Sequence, residues 1–190
     1  MKFIIILLVI ALLILLYPYF RILIKRILLS SRIRKQCRQK GYKFKALHVL
    51  PFWGRNNGKS FDFCIETKSK LVYVKLLASK YKKSVLKCPT SSSRQYYFTN
   101  SLWLFSKWSQ ASMSYDTKLQ TLPNYDVPSA KNKQQLSILL IHPICFEIVG
   151  ICSEGQKRIL AAGDTIYGMR LESGKTVMEY IHTIDTVSSK

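Results

Sequence analysis

The residues best placed to do chemistry lie in two short segments, Phe61–Glu66 (FDFCIE) and Leu71–Leu77 (LVYVKLL). Each alternates as a half-buried strand does, and Thr67–Lys70 between them reads as the turn of a hairpin. If the turn pairs Ile65 with Val72, Phe63 faces Val74 and Asp62 lies opposite Lys75, with Cys64 and Glu66 on the strand face of Asp62. A carboxylate and a lysine then share one face. As a purely structural feature this is a cross-strand ion pair worth a few tenths to ~1 kcal/mol. Two other stretches approach a phosphate-binding loop. Gly54–Ser60 has three residues between its glycines before Lys59-Ser60, and Gly168–Gly174 has five before Lys175-Thr176, whereas the loop needs four so that successive N–H groups converge on one phosphate. His142, Cys145 and Cys152 carry metal-binding atoms, but no paired spacing completes a zinc set.

The order from Lys25 onward is a helix, three strands, a further helical stretch and a buried strand at Leu136. Together with the Asp62/Lys75 pair it resembles the PD-(D/E)xK (restriction-endonuclease-like) nuclease superfamily. The resemblance covers Lys25 to Ile148. It implies that Asp62 matches the Asp that holds a divalent cation and Lys75 the Lys that helps to position the attacking water. Tyr73 stands where the second acid is expected, and Phe61 precedes Asp62 where a Pro is frequent. Tyrosine is a poor ligand for Mg²⁺, which takes hard oxygens, usually carboxylates and water. Glu66 is the neighbouring acid that could stand in. The resemblance therefore implies a non-catalytic nuclease-like module that needs no cofactor. The alternative is a membrane-tethered Mg²⁺-dependent nuclease with Asp62, Glu66 and Lys75 as catalytic residues and Asp62 as metal ligand.

Charge points to an anionic partner. The chain has 190 residues, 30 Lys plus Arg against 10 Asp plus Glu, and a net charge of +20. From Met1 to Tyr115 there are 22 basic and 2 acidic residues, so 22 − 2 = +20; from Asp116 to Lys190 the balance is 8 − 8 = 0. Solubility alone does not need a surplus confined to one part of the chain, so phospholipid or nucleic acid is the expected partner. The length excludes a large multidomain enzyme, and 48% hydrophobic residues exclude wholesale disorder.

The elements that must position these residues begin with an apolar run. Phe3–Phe20 is 18 residues without a charge, and Phe3–Ile24 as a helix reaches about 33 Å, enough for a single membrane span if Arg21 snorkels. Lysines and arginines crowd the downstream flank, which places the rest of the chain in the cytoplasm at the cell membrane. Lys25–Lys40 follows as a basic juxtamembrane helix with Leu29, Ile33 and Cys37 as its apolar stripe and Gly41 at its C-cap. Arg21 at the end of the span and Lys25, Arg26, Arg32, Arg34, Lys35, Arg38 and Lys40 of this helix are the candidates for binding the anionic inner leaflet. Five cysteines without paired spacing are expected to be reduced thiols in a cytoplasmic domain.

Residues 42–190 then form an α/β (α+β) domain on a mixed sheet, after an anchor (1–24) and the juxtamembrane helix (25–41). Tyr42–Phe52 supplies the first strand and Gly54–Lys59 a linker; Lys80–Arg94 reads as loop with one short strand, Tyr96–Ser114 as a loosely periodic helix, and Tyr115–Lys133 as loop. Leu136–Ile148 opens as a continuous apolar run, a strand covered on both faces. Thr165–Leu171 is another strand, and Thr176–Thr183 a final helix with Thr176 and Glu179 as a capping box. Lys82, Lys83, Lys87 and Arg94, interleaved with Tyr81, Tyr96, Tyr97 and Phe98, are candidate nucleic-acid contacts, because single-strand binders stack bases on rings while cations track phosphates.

Overall fold

The computed structural model describes residues 2–47, 61–77, 84–89, 94–100, 116–123, 133–142, 147–151 and 157–187. The Gly54–Lys59 linker, Lys82, Lys83, Cys145 and Cys152 lie outside the described residues.

Helix α1 runs unbroken from Lys2 to Gln39, through the boundary expected at residue 24. It ends where the sequence signals it. Gly41 takes φ +71°, the Tyr42 N–H donates to the Cys37 carbonyl at 2.8 Å and the Gly41 N–H to that of Arg38 at 3.2 Å, the paired bonds of a Schellman cap. The two halves of α1 differ. Every side chain described between Ile4 and Phe20 is exposed, whereas Ile22 is buried and Leu29, Ile33 and Cys37 are buried in the core that α1 shares with the first sheet.

Among the described residues no helix is long and apolar enough to cross a membrane. The single-pass anchor expected over residues 1–24 is corrected accordingly, as are the cell-membrane localisation and the cytoplasmic orientation that rested on it. The physical reason lies at the middle of α1. Ile22 is 7% exposed and Arg21, Leu23, Lys25 and Arg26 are half-buried, so the turn that the span needed is already covered by protein. What remains, Phe3–Phe20, is about 27 Å long, short of the ~30 Å hydrocarbon core.

The strands are β1 (Lys43–Ala46), β2 (Phe63–Glu66), β3 (Lys70–Leu77), β4 (Ser84–Pro89), β5 (Gln95–Asn100), β6 (Asp116–Thr121), β7 (Gln134–Ile141), β8 (Glu147–Ile151), β9 (Lys157–Ile159), β10 (Thr165–Ile166) and β11 (Met169–Ser173), followed by helix α2 (Val177–Val187). They form two mixed sheets rather than one. The first has the order β1-β2-β3-β7-β11-β10 and the second β6-β5-β4-β8-β9. Part of the expected helix at Tyr96–Ser114 is strand β5, and part of the expected loop at Tyr115–Lys133 is strand β6. Tyr96 and Phe98 pack with the second core, which decides for a strand where 3.6-residue periodicity was loose.

Three layers result. The α1 stripe and α2 pack on one face of the first sheet through Val72, Val74, Ile138 and Leu140, and the second sheet covers the other face through Leu77, Leu139, Ile141 and Leu171. Strand β7 lies in the centre, parallel to both β3 and β11, which accounts for its continuous apolar run. The expected strand at Thr165–Leu171 is a hairpin. Tyr167 (φ +50°) and Gly168 (φ +73°) form its two-residue turn between β10 and β11, so Gly168 shapes a hairpin instead of a phosphate loop. At the start of α2, the Ser173 hydroxyl accepts the Thr176 N–H while the Thr176 hydroxyl donates to Glu172, in place of the reciprocal Thr176/Glu179 box.

Candidate functional site

The β2–β3 hairpin has the register read from the sequence: Phe63 pairs with Val74, Cys64 with Tyr73, and Ile65 with Val72. Asp62 stands just before β2. Its N–H donates to the Val74 carbonyl at 2.9 Å and its carbonyl accepts the Leu47 N–H at 3.0 Å, so the backbone is held from both sides. The carboxylate is filled. Oδ1 accepts from Arg26 Nη2 at 2.7 Å, and Oδ2 accepts the Leu76 N–H at 2.7 Å and lies 3.6 Å from Lys75 Nζ.

Lys75 is 7% exposed. Burial pushes its ammonium below the usual lysine range; the Asp62 charge opposes that shift and Arg26 adds to it. Arg26 comes from α1 and falls in the same spacing as the buried stripe, between Ile22 and Leu29. A cation on an apolar stripe needs a fixed counter-charge, and that was the signal for its pairing with Asp62 that charge counting did not use.

The other residues of the supposed catalytic set do not join this cluster. Glu66 accepts from Lys133 Nζ at 2.8 Å, and that hydrogen bond holds its carboxyl below the usual range. It sits four residues from Asp62, about 13 Å along an extended strand. Tyr73 turns to the opposite core, its ring 5.5 Å from that of Phe61, and burial raises its phenol. Among the described residues no group of three His, Cys, Asp or Glu side chains could hold a metal ion.

Between α1 and β1 a cleft of about 200 Å³ opens beside Asp62. Arg26, Ser30, Ser31 and Arg34 line its helical wall together with Leu23 and Ile27, and Phe44 and Phe63 lie on the sheet side. The remaining basic candidates divide by exposure. Arg32, Arg34, Lys35 and Arg38 on α1 and Lys40 just beyond it are exposed, whereas Arg21 and Lys25 are partly covered. Lys87 is half-buried in β4, and Arg94, at φ +47°, donates from Nη1 to the Pro123 carbonyl at 3.4 Å. His142 follows β7, beside Gly174. Burial, then Lys25 and Arg32, holds its imidazolium form down.

Cys37 and Cys64 are buried thiols pushed up to about 11 by burial, which makes neither a poised nucleophile, and Cys88 is also buried. No family model, curated protein or solved structure matches this chain.

Proposed function

We propose that the chain is a binding module for nucleic acid, built on a nuclease-like frame whose cleavage site is closed by an ion-pair network. The observation that carries this reading is the Asp62 carboxylate, both of whose oxygens are engaged by Arg26, the Leu76 N–H and Lys75. A divalent cation at Asp62 would have to displace Arg26 and accept Lys75 as a close neighbour, with Tyr73 in place of a second carboxylate and Glu66 bound to Lys133. Support for the frame comes from the order of elements. Helix α1 precedes the antiparallel run β1-β2-β3, and β7 adds to β3 in parallel. The frame departs from the superfamily between β3 and β7, where β4, β5 and β6 contribute to a second sheet.

Nucleic acid is favoured because the surplus of 20 positive charges is confined to the first 115 residues. Five exposed cations, Arg32, Arg34, Lys35, Arg38 and Lys40, fall within nine residues of α1 and its cap. The test uses the full chain, kept in mild detergent because residues 4–20 expose apolar side chains. Fluorescence anisotropy with single- and double-stranded DNA and RNA should show an affinity that falls more than ~10-fold between 50 and 200 mM salt. No cleavage is expected in Mg²⁺ or Mn²⁺. Absent or salt-independent binding overturns the reading. Cleavage that EDTA and Lys75→Ala both abolish replaces it with the enzymatic one.

A further inference from the structure

We infer that the cleft between α1 and β1 is a site for a single phosphorylated nucleotide, free or at the end of a strand, with its base on Phe44 and its phosphate on Arg34 and the Ser30/Ser31 hydroxyls. The inference rests on the nucleic-acid reading above and gives it a point of attachment.

Size limits the occupant first. About 200 Å³ lies below the ~300–1,000 Å³ of sites that enclose a whole drug-sized ligand, so the cleft engages the base and phosphate of one nucleotide without enclosing it, and nothing larger. The two walls differ in chemistry. On the sheet side Phe44 is half-buried and lines the cleft together with Phe63, the two rings 5.2 Å apart and tilted by 33°, so a buried ring partner braces Phe44. Such a ring stacks a base without regard to its sequence.

On the helical side Arg26, Ser30 and Arg34 recur at i, i+4 and i+8, which sets them in one row along the cleft, with Ser31 beside them. Asp62 holds Arg26 at 2.7 Å, whereas Arg34 is exposed. Guanidinium and hydroxyl donors in a row suit a phosphate, whose oxygens accept from several N–H and O–H groups at once. Two arginines against one carboxylate leave the lining positive, which disfavours a metal cation. A simple carboxylate ligand would leave Phe44 without a partner, and a neutral ring would leave the phosphate donors unused.

The test compares two fluorescent octanucleotides of the same sequence, one 5′-phosphorylated and one with a 5′-hydroxyl, on the full chain. The wild-type protein should prefer the phosphorylated strand about ten-fold, and adenosine monophosphate should compete for it. Arg34→Glu, at an exposed position, should abolish the preference. Arg38→Glu, one turn on and outside the cleft, should lower affinity for both strands while keeping the preference. Phe44→Leu, which retains apolar bulk but removes the ring, should weaken both strands about five-fold or more. Equal affinity for the two strands, or a preference that survives Arg34→Glu, overturns the nucleotide site and leaves the broader binding reading in place. Monophosphate binding that Arg34→Glu removes, with no oligonucleotide binding at all, supports the cleft and sinks the broader reading.

Discussion

The two halves of α1 belong to one unbroken helix and follow opposite rules. From Ile4 to Phe20 the helix is apolar on all sides and exposed where its side chains are described, while from Arg21 to Gln39 it is strongly basic yet holds the buried Ile22, Leu29, Ile33 and Cys37. Composition alone would bury the first half and expose the second. The difference shows that packing follows a stripe matched to a facing surface, not total apolarity: Leu29 and Ile33 meet Val72, Val74 and Ile138 because they recur on one side of the helix. Around that stripe Arg32, Arg34, Lys35 and Arg38 remain in solvent and Arg21 and Lys25 are partly covered, while Arg26 lies on the stripe and has Asp62 as its counter-charge.

Paired substitutions test this contrast most strongly. Ile33→Ala, at a fully buried position, should lower unfolding stability by about 2–4 kcal/mol, whereas Ile10→Ala on the exposed half should stay within ~0.5 kcal/mol, both read from urea unfolding midpoints. Equal effects would mean that the two halves are packed alike. A smaller separation is expected between two arginines of the second half. Arg26→Ala strands Asp62 beside Lys75 and should cost about 2 kcal/mol; Arg34→Ala, in solvent, should cost little.

The smallest effects are in pH. Asp185 is pushed up by burial, but hydrogen bonds from Thr67, Ser69 and Tyr42 outweigh that and leave its carboxyl below 3.8, and Lys133 holds Glu66 below 4.5. Depressed carboxyls contribute stability that is present above those ordinary values and lost as pH falls through the folded ones, so Asp185→Asn should flatten the acid limb. His142 acts in a higher window. Its folded pKa lies below 6.5, so the unfolded chain takes the proton first and stability falls as pH drops from 6.5. His142→Gln should remove that part of the slope and leave the limb below pH ~4 unchanged.

Local signals carried the hairpin furthest. Alternation on both sides of Thr67–Lys70 and a four-residue turn allowed one register, because a slip by one residue would turn Phe63, Ile65, Val72 and Val74 away from the core. The Asp62–Lys75 pairing followed from it, and the C-cap at Gly41 and the burial of β7 were legible from equally local patterns of their own. The second sheet was hidden for the opposite reason. Strands β4, β5 and β6 are short, carry lysines, tyrosines and threonines, and gain their burial from β8 and the far face of the first sheet. No such partner is visible in a window of six residues.

The amino-acid sequence by itself determined where α1 stops, how β2 pairs with β3 and which face of each strand is apolar, because those outcomes depend on neighbours a few residues apart. Only the tertiary structure decided what Asp62 does. Its partner Arg26 lies 36 positions away on a helix that packs over the hairpin, and a guanidinium brought to 2.7 Å makes the Asp62 carboxylate one end of an ion pair. The tertiary structure also left Ile22 buried and so shortened the exposed apolar segment before it, since a side chain already covered by protein cannot also face another surface.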